Sequence, residues 1–156
     1  MSSYLHLTEI QFKGPGKEAS IPFARGVNVI CGASETGKSF LSEAVDFKLG
    51  GSSLREIPEK VSYASISLAM GASDGTSWKL DRAIAGGDFS QTSLDDPKAS
   101  PVALRQSHAH DRVDNVSGLL LSKTGLLGKR ILKSVKTGQT ISLSFRNLAR
   151  LVIIQD

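Results

Sequence analysis

Apolar and polar positions change rhythm several times along these 156 residues. The opening stretch "YLHLTEIQF" mixes apolar and β-branched residues and stops at the turn sequence "KGPG". "ASIPFARGVNVIC" then holds two short apolar pieces split by "ARG", which predicts a hairpin leading into a buried strand, Val27 to Cys31. Phe40, Leu41, Ala44, Val45 and Leu49 recur at helical spacing, and Gly50–Gly51 make a good helix stop. Beyond residue 60 the period falls to two. Val61, Tyr63 and Ser65 alternate with Ala64, Ile66 and Leu68. After Asp74-Gly75, Trp78, Leu80 and Ile84 alternate with Lys79 and Asp81, so a β-hairpin is expected, with a third strand around Phe89. Residues 93 to 112 are polar with two prolines and read as a connection. Val113, Val116, Leu119 and Leu120 predict a short helix ending near Gly125, and "ISLSFRNLARLVIIQD" a strand or turn, a helical piece and a buried strand.

Between the apolar run "VNVIC" and the helical run lies "GASETGKS", residues 32 to 39, which fits the phosphate-loop pattern G-x-x-x-x-G-K-[S/T]. Glycines at 32 and 37 let successive backbone N–H groups face an anion, and the following helix turns its N-terminus to the same charge. Lys38 supplies a point charge to the β- and γ-phosphates, and the Ser39 hydroxyl a ligand to Mg²⁺. Glu35 must point outward, because its carboxylate would repel phosphate. The strand, loop and helix order is the context that such a motif needs.

Composition adds bounds. Apolar content of 40% and charged content of 22% are those of a soluble globular chain, and no apolar run is long enough for a membrane span. The N-terminus lacks the basic and apolar regions of a secretion signal, and one cysteine fits a reducing compartment, so the expected location is cytoplasmic. Cys31 is expected to pack as a small hydrophobe. Residues 1 to 114 hold 12 Lys/Arg against 14 Asp/Glu, a net −2, whereas residues 115 to 156 hold 7 against Asp156 alone, a net +6. That segment could attract phosphate backbones, or be a solvated face, or meet an acidic partner.

The stretch from "LTEIQFK" to "KLGG" resembles the N-terminal head lobe of the SMC-like ABC ATPases, the group of SMC, RecF and RecN proteins. "QFK", "FARGVNVICG", "GASETGKS" and "AVDFKLGG" stand where that family has a strand with F-[K/R], a strand ending in G-x-N-x-I-x-G, the Walker A loop and a helix ending near L-G. "LDRAIAGG" is similar to the last strand of its antiparallel β-layer. The resemblance covers roughly residues 4 to 94 and implies an α/β P-loop NTPase fold: a mixed sheet plus an antiparallel β-layer in one lobe. In that lobe residues 1–50 hold the hairpin, P-loop and first helix, 61–94 the β-layer, 95–112 a connection, and 113–156 a basic segment.

The resemblance also implies ATP and Mg²⁺ as ligands. Gly32, Ser34, Glu35, Thr36, Gly37, Lys38, Ser39 and Phe40 would form the loop, with Ser39 on the metal. Lys13 stands near the adenine end in the family; a solvated strand-end lysine is the competing reading. Gln155 would be the Q-loop glutamine touching Mg²⁺ and the attacking water. Read from the residues alone, "RLVIIQD" is equally a Walker B strand ending in Asp156, or a core strand with polar ends.

No "LSGGQ"-like signature, second acidic strand or heptad stretch is found. The expectation is therefore an N-terminal lobe of a longer protein, inactive by itself. It would need a C-terminal ABC lobe and hydrolyse ATP as a head-to-head dimer in DNA repair, chromosome handling or anti-phage defence. Two rivals are a complete small P-loop kinase using Asp156, and a non-catalytic module docking nucleic acid or protein. "HAHD" at 108 to 111 lacks the further ligands that a metal site needs, and no elbow supports a Ser/His/Asp nucleophile.

Overall fold

The computed structural model describes residues 3–33 and 37–153. Eight strands and three helices are seen in that region: β1 (Leu5–Gly14), β2 (Lys17–Pro22), α1 (Lys38–Lys48), β3 (Ser65–Ala72), β4 (Ser77–Ala83), β5 (Phe89–Ser93), β6 (Val102–Leu104), α2 (Val116–Lys123), β7 (Arg130–Leu132), β8 (Thr140–Ser142) and α3 (Phe145–Val152). Six strands form one sheet in the order β2-β1-β3-β4-β5-β6, with every neighbouring pair antiparallel. β7 and β8 make a separate two-stranded ribbon. The chain is thus α/β with an antiparallel sheet.

Alternation explains which face of the sheet carries the core. Ile10 and Phe12 of β1, Ile66, Leu68 and Met70 of β3, and Trp78 and Leu80 of β4 are buried together. α1 covers this face with Leu41, Ala44 and Val45, whose helical spacing marks them in the sequence, and with Phe47, which that spacing does not single out. α2 adds Val116 and Leu120, and is capped by Asn115, whose Oδ1 accepts the Gly118 amide at 2.8 Å.

α1 is fastened to the sheet at its C-terminal end by two buried cations. Arg82 is 3% exposed and donates to the carbonyls of Phe47 (2.8 Å) and Gly51 (2.7 Å), and from Nε to Gly87 (2.8 Å). Its guanidinium lies 3.9 Å from the Phe47 ring centroid and 4.5 Å from that of Phe89. Lys48 Nζ donates to the Ile66 carbonyl at 2.9 Å. Positive charge at a helix C-terminus matches the helix dipole and satisfies carbonyls that lack intrahelical donors.

Several expectations need correction. The 61–94 layer is present, but Val61 lies in a 3₁₀ turn (Pro58–Ser62) and is exposed. β1 and β2 belong to the same antiparallel sheet as that layer, so the described residues contain no mixed sheet. Val27 to Cys31 is not a buried strand: it makes no ladder, and Val27 and Val29 are 92% and 83% exposed. A strand needs a neighbour, and the Asn28 side chain instead closes a local turn onto Ala24 and Gly26. The 95–112 connection holds β6, too short to announce itself. Leu151 and Val152 continue α3 and are exposed, whereas a buried strand was expected from them. Among the described residues no helix is long and apolar enough to cross a membrane.

Candidate functional site

Of the residues expected to form a phosphate loop, Gly37, Lys38, Ser39 and Phe40 lie at the N-terminus of α1. Gly37 has φ 84°, the left-handed conformation that glycine adopts without strain, and its carbonyl accepts the Leu41 amide at 3.0 Å. Among the described residues no side chain caps the helix, and its first turn carries no acidic residue. The uncapped amides of that turn and the helix dipole therefore favour an anion there. Lys38 Nζ bends back over the loop and donates to the carbonyls of Gly32 (2.6 Å) and Ala33 (2.5 Å). Ser39 is exposed, and its carbonyl accepts a bond from Ser42 Oγ at 2.9 Å. Gly32 is exposed and Phe40 half-buried. Ser34, Glu35, Thr36, Gln155 and Asp156, also named from the sequence, lie outside the described residues.

A cavity of about 790 Å³ opens between this helix start and the sheet, a volume that suits a small organic ligand. Gly37, Lys38 and Ser39 line one side of it. The other side is aromatic and apolar: Phe12, Phe40 and Tyr63, with Ala19, Ile21 and Ile57. The ring centroids of Phe12 and Phe40 are 5.9 Å apart and those of Phe12 and Tyr63 5.7 Å. Arg55, paired with Glu43, the buried Lys60, paired with Glu56, and Glu59 also line the cavity. One cavity thus combines cationic and aromatic walls, which suits a ligand with an anionic end and a flat end.

Lys13 is not brought to this site. Phe12 faces the cavity, and its neighbour Lys13 lies on the opposite face of β1, where it pairs in register with Glu18. Arg55 follows the helix on an aperiodic stretch where no spacing marks a residue as lining anything, and Tyr63 stands in the sequence only as one position of a strand-like alternation, whereas it lies just past the 3₁₀ turn. A second groove, of about 420 Å³, runs behind Lys38 and Ser39 along Val29, Ile30, Val45 and Val152. Cys31, expected to be packed, is exposed beside it, because the strand that would have buried it does not form.

The "HAHD" histidines meet at one hydroxyl. His108 Nε2 and His110 Nδ1 lie 2.8 and 2.9 Å from Ser142 Oγ, tying the β7–β8 ribbon to the loop before α2. Among the described residues no three His, Cys, Asp or Glu side chains are grouped so as to hold a metal. Comparison with protein-family models and with curated proteins finds no match for this chain.

Proposed function

We propose that this chain binds a magnesium nucleoside triphosphate, ATP in the first instance, at the 32–40 loop. The supporting observation is the conjunction of three features: a left-handed Gly37, Lys38 poised over the loop, and an aromatic-walled cavity against the same helix start. The phosphates would lie on the first-turn amides of α1 with Lys38 as their counter-charge. The base would lie against Phe12, Phe40 and Tyr63, where a flat ring gains from aromatic contact. Ser39 would hold Mg²⁺ together with phosphate oxygens, since this ion prefers one or two protein ligands and the substrate. The metal supplies charge neutralisation on the phosphates.

The wider reading follows the resemblance to SMC-like head lobes. The chain would be the N-terminal lobe of a dimeric ABC-type ATPase whose hydrolysis serves DNA repair, chromosome handling or anti-phage defence. The bare apolar side chains of Val27, Val29 and Ile30 support a partner at that edge, here a C-terminal ABC lobe carrying the signature and second acidic motif. Phosphoryl transfer needs metal ligands and a positioned water, so the isolated chain is expected to bind and not to turn over. An antiparallel sheet speaks against the self-contained kinase, which would alternate β and α units around parallel strands.

Titration with a fluorescent ATP analogue and Mg²⁺, beside Lys38→Ala, tests the proposal. Saturable binding that weakens at least about tenfold in the variant, the loss of a charge-assisted contact, is expected. Equal binding by both proteins, or no saturable binding by the wild type at millimolar analogue, overturns it.

A further inference from the structure

The β7–β8 ribbon, from Lys129 to Leu143, concentrates positive charge without neutralising it. Lys129, Arg130, Lys133 and Lys136 are all exposed, and none has an acidic partner among the described residues. Three cations of the neighbouring segments are paired: Lys123 with Asp74, Arg112 with Asp114, and Arg146 with Asp46. The ribbon is a two-stranded sheet of its own, and the Lys133 and Ser134 amides both donate to the Gln139 carbonyl to close its tip. Val135, between the two tip lysines, is 87% exposed.

We propose that this ribbon is a docking arm for double-stranded DNA, which it grips through backbone phosphates without base preference. A two-stranded ribbon fits the major groove, about 12 Å wide. Four cations without acidic partners within eight residues complement the negative charge of a duplex, whereas residues 1 to 114 carry a net −2 and offer it no comparable attraction. Residues 129–143 contain no aromatic side chain. Single-stranded nucleic acid would be held by stacking on aromatics, and a lipid interface by Trp or Tyr anchors, so both are disfavoured. The arm shares no residue with the nucleotide site.

The test is fluorescence anisotropy of a labelled mixed-sequence DNA duplex across a salt series, without nucleotide. Four released counterions predict a slope of log K against log salt of about −3.6, roughly a hundredfold loss between 50 and 200 mM. Lys133→Gln with Lys136→Gln, at the exposed tip, should shallow the slope by about 1.8. Lys98→Gln, on the exposed 95–112 connection, and Lys38→Ala should leave it unchanged. Melting curves confirm that the variants remain folded. Duplex binding unaffected by the tip substitutions overturns the proposal, as does the absence of duplex binding. Binding to phosphatidylserine vesicles in place of duplex assigns the arm to membranes and overturns it equally.

Discussion

Arg82 and Lys48 are both buried cations beside Phe89, yet their removal should have opposite weight. Arg82 donates to three carbonyls, those of Phe47 and Gly51 at and just past the end of α1 and that of Gly87; the Phe47 carbonyl otherwise accepts a long bond of 3.4 Å from the Gly50 amide. Arg82→Ala leaves these acceptors dry and opens space between Phe47 and Phe89, a cost of about 3 kcal/mol or more. Lys48 makes a single bond, to Ile66, and burial holds its ammonium well below the usual lysine range. Lys48→Met keeps the volume and relieves that desolvation, so stability should change by less than about 1 kcal/mol or rise. Urea denaturation of the two variants decides the matter; equal losses would contradict this division. Neither role was visible in the sequence. "DFKLGG" and "LDRAIAGG" show a lysine and an arginine at ordinary positions, and only a contact spanning 35 residues makes Arg82 a bolt for the phosphate-loop helix.

The β7–β8 ribbon is joined to the loop before α2 through Ser142 and the two histidines, which gives this element a pH response. Burial, and then the neighbouring His110, lower the pKa of His108 below its ordinary 6.5. The folded chain therefore refuses a proton that the unfolded chain accepts. No contribution is felt at pH 8, where both states are neutral, and stability falls as pH drops below about 6.5 toward the folded-state value. Asp74, Asp95 and Asp114 have lowered carboxyl pKa values, so their losses come only below about 3.8 and leave this window clear. Thermal melts from pH 8 to pH 5 should show declining stability that His108→Gln flattens; an unchanged slope in the variant would contradict the assignment. Elements with strong local signals were legible: β3, β4 and their Asp74-Gly75 turn, α1 with its glycine stop, and α2. Those decided by distant pairing were not. β6 forms by pairing with β5, whereas Val27–Cys31 joins neither of the sheet's two edge strands, β2 and β6.

The molecule as a whole sets a closed sheet core beside an exposed apolar edge. Val27, Val29, Leu151 and Val152 are large apolar residues more than three-quarters exposed, while the sheet core is closed. If a partner lobe covers that edge, Val27→Ser with Val29→Ser should alter the stability of this chain by less than about 0.5 kcal/mol, as surface changes do. A larger loss in a urea titration would mean that these valines already pack within the chain. The proposed phosphate loop is named from eight residues because such chemistry is backbone chemistry at fixed spacing. The wall facing it could not, because Phe12, Arg55 and Tyr63 converge only in three dimensions. The most direct test of the account is amide chemical-shift mapping of the labelled chain with Mg²⁺–ATP. The expected result is saturable shifts at Gly32, Gly37, Ser39, Phe40 and Tyr63, absent in Lys38→Ala. Shifts confined to other surfaces, or identical in the variant, would contradict a nucleotide site here.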